Sequence, residues 1–122
     1  MYELTVTRQF AAAHQLRESR GDCEKLHGHN WKVEVSLIGE ELNDTGLLTD
    51  FREVKEATDR ILEEFDHSFL NELPHFRDQN PSSENIAAYI FKKLSSALNN
   101  TQIKVNKVTA WESDSARASY LG

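Results

Sequence analysis

Two segments of alternating apolar and polar residues, 2–14 and 27–39, constrain the fold of this chain more than any other feature. Side chains at every second position of a strand lie on the same face, so this alternation predicts two strands with one buried face each. The predicted inward positions are Tyr2, Leu4, Val6, Phe10, Ala12 and His14, then Trp31, Val33, Val35 and Leu37. The polar stretch 17–24 between them predicts a loop, and the two strands are expected to pair antiparallel.

The middle of the chain changes to helical periodicity. Asp50 and Glu53 form the N-cap and N3 pair that is typical of a helix start. The apolar stripe of this helix is predicted to contain Phe51, Val54, Ala57, Ile61, Leu62 and Phe65. Asn80 and Pro81 predict the cap and the first-turn proline of a second helix. Its buried face is predicted to contain Ile86, Ala87, Ile90, Phe91, Leu94 and Leu98.

Residues 103–121 return to strand-like sequence, with a turn near Ser113, Asp114 and Ser115. The element order is therefore ββααββ, which predicts an α+β fold with two helices on one face of a four-stranded antiparallel sheet. The length predicts a single domain over residues 1–122. Because a four-stranded sheet has open edges, we expect oligomerisation to cover them.

Composition and charge argue against several classes of protein. The formal net charge is -6 and the 14 Lys and Arg residues are scattered, so a nucleic-acid partner is not expected. No apolar run approaches the roughly 18 residues of a membrane helix, and Met1 leads straight into strand-like sequence rather than a signal peptide. With Cys23 as its single cysteine, the chain has no intramolecular disulfide, and a cytoplasmic location is predicted.

Three of the five histidines are placed where a metal site could form. His27 and His29 are two residues apart on an extended segment, so both side chains leave the same face, and His14 ends the strand that pairs with it. Three imidazoles with a free fourth position are the pattern of catalytic zinc. Two alternatives stay open: a chance His-Gly-His triplet, and a structural zinc site that Cys23 closes as a fourth ligand.

Cys23 precedes His27 by four residues, in a polar loop. A thiol beside a metal ion and Lys25 is typical of a catalytic base or nucleophile, although an ordinary exposed thiol would fit the same sequence.

Two carboxylates are further candidates. Asp66 is adjacent to His67, where a carboxylate can orient an imidazole for proton transfer, although a histidine interacting with the helix dipole would fit the position equally well. Glu112 ends an apolar strand, where it is either exposed to solvent or an acceptor for a planar pair of N–H donors.

Five motifs occur in the order seen in the 6-pyruvoyl-tetrahydropterin synthase family, and the chain resembles its 6-carboxytetrahydropterin synthase branch. They are Phe10–His14, Cys23–His29, Asp66–His67, Asn80–Glu84 and Trp111–Glu112, and together they extend over nearly the whole chain. The resemblance implies the tunnelling fold (T-fold), with the sheets of several subunits closing into a barrel. It also implies a homohexamer built from two trimers.

The resemblance also implies a role for each candidate residue. The zinc ligands would be His14, His27 and His29. Cys23 would be the base that removes a carbon-bound proton, with Asp66 and His67 as the acid–base pair, supplied by a neighbouring subunit. Glu112 would anchor the pterin by accepting from its 2-amino group and the adjacent ring N–H.

The short interval between Cys23 and His27 resembles the queuosine-pathway branch. The implied substrate is 7,8-dihydroneopterin triphosphate. The implied products are 6-carboxy-5,6,7,8-tetrahydropterin, acetaldehyde and triphosphate. Arg17, Arg20 and Lys25 are candidates for holding the phosphates.

Three other functions fit the same sequence. Glu24 stands where folate-type relatives have their base, which implies cleavage to 6-hydroxymethyl-7,8-dihydropterin, alone or as a second activity; its alternative is a solvated loop residue. The others are 6-pyruvoyl-tetrahydropterin synthase activity and a non-catalytic, zinc-stabilised oligomer that binds pterins.

Overall fold

The structure is a computed structural model that describes residues 1–17 and 25–122. Its two α-helices are α1 (Phe51–Leu62) and α2 (Ser83–Leu98). Its strands are β1 (Tyr2–His14), β2 (His27–Gly39), β3 (Ser68–Phe69), β4 (Lys104–Ser113) and β5 (Ala116–Tyr120). Two short 3₁₀ helices, Leu70–Glu72 and Pro74–Phe76, connect β3 to α2.

The strands form one five-stranded mixed sheet in the order β3-β1-β2-β4-β5. The predicted antiparallel pairing of the first two strands is confirmed, and β1 pairs with β2 from Tyr2 opposite Gly39 to His14 opposite His27. The prediction of four antiparallel strands is wrong, because β3 adds a fifth strand that runs parallel to β1.

The extra strand arises where the chain leaves α1. His67 has a positive φ of 57°, and its main-chain N–H donates to the Ala11 carbonyl at 2.6 Å, so the chain turns and lies along β1. Ser68 and Phe69 then pair with Ala12 and Ala13. A strand of two residues is too short to produce an alternating pattern, which explains why the sequence did not indicate it.

Both helices pack on one face of the sheet and enclose the core. The inward side chains of β2 are fully buried: Trp31, Val33, Val35 and Leu37. The helices contribute Val54, Ile61, Leu62, Ile86, Ala87, Ile90 and Leu94 to the same cluster. The burial of these apolar side chains on one face of the sheet explains the alternation in the sequence.

Arg8 also lies on the helix-covered side of β1, where it forms a two-bond ion pair with Asp59 of α1, at 2.7 and 2.9 Å.

Two details of the helices differ from prediction. Phe51 is 55% exposed, because it is the first residue of α1 and lies beyond the core. The N-cap of α2 is Ser82 rather than Asn80: the Ser82 hydroxyl accepts from the Asn85 N–H at 3.1 Å, while the Asn80 amide binds the main chain of Arg17. None of the helices in the described ranges has the length and apolar character needed to span a membrane.

Candidate metal centre and active site

Strands β1 and β2 bring three histidines together at one end of the sheet. His14 lies directly opposite His27, and His29 lies opposite Ala12, two residues before His14. The ring centroid of His14 is 6.2 Å from that of His27 and 5.2 Å from that of His29. The His27 and His29 centroids are 5.7 Å apart. The histidines continue the inward positions of both strands, so the buried face of the sheet ends in imidazole rings.

Glu112 of β4 completes this cluster. Its Oε1 atom is 3.0 Å from Nε2 of His29 and 3.3 Å from Nε2 of His14. One ligand atom from each of His14, His27, His29 and Glu112 can be chosen so that all lie within 4.8 Å of one another. Such a convergence of imidazole nitrogens and a carboxylate oxygen is a ligand set that could bind a metal ion.

The surroundings of His14 favour one tautomer of its ring. The side chain is 2% exposed, and its Nδ1 atom is 2.9 Å from the carbonyl oxygen of Pro81. A carbonyl oxygen only accepts, so Nδ1 donates this bond, and the other ring nitrogen, Nε2, faces the cluster. A hydrogen bond of this kind behind a metal ligand is typical of metal sites in proteins. The residues present therefore fit a metal ion.

Trp31 forms an apolar wall behind the histidines. Its fully buried ring contacts His14 and His29 edge-on, with centroid distances of 5.0 and 5.6 Å. A large apolar side chain lowers the local dielectric constant and strengthens electrostatic interactions within the cluster.

The position of Glu112 adds a contact that the sequence had not indicated. Sequence resemblance assigned it to pterin binding, whereas its carboxylate lies against the metal-ligand candidates. The alternation of β4 could have indicated this position in the sequence, because Glu112 falls on the same inward face of the strand as the buried residues Val108 and Ala110. Its carboxylate can either bind a metal ion or accept hydrogen bonds from a molecule at the edge of the cluster.

Asp66 and His67 contact each other but are not part of the cluster of metal-ligand candidates. Asp66 Oδ2 is 3.0 Å from His67 Nδ1, and Asp66 Oδ1 accepts from the Ala11 N–H at 2.9 Å. The Ala11 N–H, and secondly His67, lower the pKa of Asp66 below its usual value. The stabilisation from these contacts is therefore fully present at pH values above the usual carboxyl pKa, and it is lost as the pH falls through the lowered pKa of Asp66. The His67 side chain is 83% exposed.

Cys23, Glu24 and Arg20 lie outside the described residues, so their predicted roles stay predictions. Among the other phosphate-binding candidates, Lys25 is exposed. The Arg17 guanidinium donates to the main-chain carbonyl of Phe76 at 2.6 Å, so in this structure it binds the protein main chain.

Comparison with known proteins identifies the family. The family model for 6-pyruvoyl tetrahydropterin synthase matches residues 3–122. The chain belongs to this family. This confirms the sequence resemblance and indicates a tetrahydropterin synthase-type function in pterin metabolism.

Individual relatives carry different names. The 6-carboxy-5,6,7,8-tetrahydropterin synthase of Synechocystis sp. is 38% identical over 93 residues, which are 72% of this chain and 70% of the relative. The dihydroneopterin monophosphate aldolase of Pyrococcus furiosus is 33% identical over 103 residues, 84% of this chain and 82% of the relative. The solved structure of Caenorhabditis elegans 6-pyruvoyl tetrahydropterin synthase has a TM-score of 0.83 and 28% identity, covering 100% of this chain and 97% of that one.

Proposed function

We propose that this family member is a zinc-dependent lyase that converts 7,8-dihydroneopterin triphosphate and water to 6-carboxy-5,6,7,8-tetrahydropterin, acetaldehyde and triphosphate. The observation that carries the proposal is the convergence of His14, His27, His29 and Glu112 at the end of the sheet. The relative from Synechocystis, named for this product, supports the choice of reaction within the family.

His14, His27 and His29 would hold the zinc ion through neutral imidazole nitrogens. When bound, the ion would act as a Lewis acid that polarises the hydroxyl groups of the substrate side chain. The Pro81 carbonyl keeps the His14 ring in the required tautomer, and Trp31 excludes water from one side of the site.

Glu112 would anchor the pterin ring. A carboxylate has two acceptor oxygens, which match the paired N–H donors of the 2-amino group and the neighbouring ring nitrogen. In this role the carboxylate turns from the histidines toward the substrate, so the ring is held beside the cluster with its side chain near the histidines. Glu112 Oε1 lies 3.0 and 3.3 Å from the two imidazoles, and this proximity supports a pterin site directly beside the histidines.

Cys23 and the Asp66–His67 pair would move the protons. Cys23 would remove a proton from a side-chain carbon, and His67 would exchange a proton with a side-chain oxygen. Asp66, which is a carboxylate at neutral pH, would orient the His67 ring through Nδ1 and stabilise its protonated form. Reduction of the ring balances oxidation of the side chain, so the reaction needs no nicotinamide.

The experiment that tests the proposal measures turnover rather than binding. We expect zinc-loaded protein to consume 7,8-dihydroneopterin triphosphate over many cycles, and chelator-treated protein to consume none until zinc is restored. Binding of the pterin without consumption would contradict the proposal and favour the non-catalytic pterin-binding oligomer.

We further propose that the active site is shared between subunits of a homohexamer. The support is the position of His67, which is 83% exposed and outside the histidine cluster of its own chain. In this arrangement His67 of one subunit faces the zinc site of its neighbour, where the exposed side chain becomes buried.

Subunit mixing tests this arrangement. His27→Ala removes a zinc ligand and His67→Ala removes the proton-transfer group, so each homo-oligomer is expected to be inactive. After subunit exchange, the mixture should regain a measurable fraction of wild-type activity, because some interfaces combine an intact zinc site with an intact His67. Mixing His27→Ala with a His27→Ala, His67→Ala double variant is the matched control and should regain nothing. No recovery in the first mixture, despite exchange demonstrated by mass spectrometry, would contradict a shared site.

A second activity is favoured by one relative and one sequence feature. The Pyrococcus furiosus relative is named an aldolase for dihydroneopterin monophosphate, and this chain carries Glu24 directly after Cys23. We propose that Glu24 acts as the base for a lesser aldolase-type cleavage of the bond between the first and second side-chain carbons, which leaves 6-hydroxymethyl-7,8-dihydropterin and releases the other two carbons as a phosphorylated aldehyde.

A further inference from the structure

Two asparagine side chains hold the chain immediately after β1. Asn71 Oδ1 accepts from the Gln15 N–H at 2.9 Å, and Asn71 Nδ2 donates to the Gln15 carbonyl at 2.7 Å. Asn80 makes the same pair of bonds with Arg17, both at 2.8 Å. Each amide thus satisfies both main-chain polar groups of one residue, as a hydrogen-bonded residue of an antiparallel strand would.

Further contacts connect the two asparagines. The Arg17 guanidinium donates to the carbonyls of Phe76 and Asn71, at 2.6 and 3.4 Å. The Asn80 carbonyl accepts from Asn85 Nδ2 in the first turn of α2, at 2.8 Å. Residues 15–17, the 3₁₀ helix with Asn71 and the start of α2 are therefore held as one unit.

This unit includes both sides of the hydrogen bond that orients His14. Gln15 directly follows His14 in the chain, and Pro81 directly follows Asn80. The bond from His14 Nδ1 to the Pro81 carbonyl therefore spans two segments that the asparagine amides join. If those amides were removed, the end of β1 could separate from Pro81, and His14 Nε2 would no longer keep its place beside His29 and Glu112.

We propose that Asn71 and Asn80 are positioning residues of the metal centre, which set the location of the His14 imidazole. The inference rests on the metal site of the proposed function. Replacing a residue that forms a hydrogen bond to a metal ligand and so orients it typically weakens metal affinity by about 10- to 100-fold. Asn71 and Asn80 act one step further out, through the main chain that carries His14 and its acceptor.

The test measures zinc affinity by competition with a chelator of known affinity. We expect Asn71→Ala and Asn80→Ala each to bind zinc about 10-fold or more weakly than wild type. Asn100→Ala is the matched control, since Asn100 Oδ1 accepts from the N–H groups of Gln102 and Ile103 at the opposite end of the sheet. The control should lower the unfolding temperature but keep the zinc affinity of wild type.

A second measurement distinguishes a displaced His14 imidazole from a general loss of protein stability. In the zinc-free protein, Asn71→Ala and Asn80→Ala should each lose the NMR signal of the His14 Nδ1–H that its bond to the Pro81 carbonyl protects from exchange, and Asn100→Ala should keep that signal. Unchanged zinc affinity in the single variants, or a weakened affinity with the His14 Nδ1–H signal of wild type, would overturn the inference. Should circular dichroism show that an alanine variant does not fold, Asn71→Asp and Asn80→Asp, which keep the acceptor oxygen, are measured by the same two criteria.

Wild-type protein distinguishes this inference from the proposed function. If wild type binds no zinc, the metal site itself is wrong and the positioning role is overturned with it. If wild type binds zinc and the variants bind it equally well, only the positioning role is wrong.

Discussion

His27→Ala is expected to lose its bound zinc and to turn over dihydroneopterin triphosphate at least about a thousandfold more slowly than wild type. His27 supplies one of three imidazoles in the cluster, and a zinc ion held by two imidazoles would dissociate readily. A thousandfold loss corresponds to about 4 kcal/mol of transition-state stabilisation, within the range that a Lewis acid contributes. Atomic absorption measures the loss of zinc, and the steady-state rate measures the loss of turnover separately.

His75→Ala is the matched control for this experiment. His75 is outside the cluster and packs against Phe76 and Tyr89, with ring centroids 4.9 and 4.5 Å away. This variant should keep wild-type zinc content and at least about half of the wild-type rate. Near-normal activity of His27→Ala, or an equal loss in both variants, would contradict the assignment of the metal site.

The second large effect concerns Cys23 and the identity of the product. Cys23→Ala is expected to lose at least about a hundredfold in formation of 6-carboxytetrahydropterin, because general base catalysis typically contributes this much. Formation of 6-hydroxymethyl-7,8-dihydropterin should continue if Glu24 is the base for that cleavage. Chromatographic separation of the two pterins after incubation with substrate measures both rates in one sample.

Glu24→Ala should have the reverse effect. It should keep formation of 6-carboxytetrahydropterin and lose the hydroxymethylpterin, since the proposal assigns the Cys23 thiol and the Glu24 carboxylate to different protons of the substrate side chain. Glu18→Ala, another acidic residue of the same polar stretch, controls for a change in loop charge. Absence of the hydroxymethylpterin from wild-type reactions, or an unchanged yield in Glu24→Ala, would leave the carboxytetrahydropterin reaction as the only proposed activity.

The long elements were predictable because one-sided burial leaves a periodic signal. In β2 every inward residue from Trp31 to Leu37 is fully buried, and the two helices carry apolar stripes toward the same face. β3 left no such signal because it has only two residues and depends on the turn at His67. The mixed character of the sheet therefore could not be predicted from periodicity.

The histidines of the candidate site were visible in the sequence, but the contacts around them were not. The spacing of His27 and His29 and the register with β1 follow from strand geometry alone. The bonds of Asn71 and Asn80 to the chain after β1 join residues 56 and 63 positions apart, and no local pattern indicates them. Asn80 illustrates this point, because its place before a proline resembles a helix cap while its amide binds Arg17.

Identification of the products made by zinc-loaded wild-type protein tests the central claim most directly. We expect 7,8-dihydroneopterin triphosphate to yield 6-carboxy-5,6,7,8-tetrahydropterin, with acetaldehyde and triphosphate released in equal amounts, and no reaction after zinc is removed. A pterin that keeps all three side-chain carbons, as in 6-pyruvoyl-tetrahydropterin, with no acetaldehyde formed, would contradict the claim.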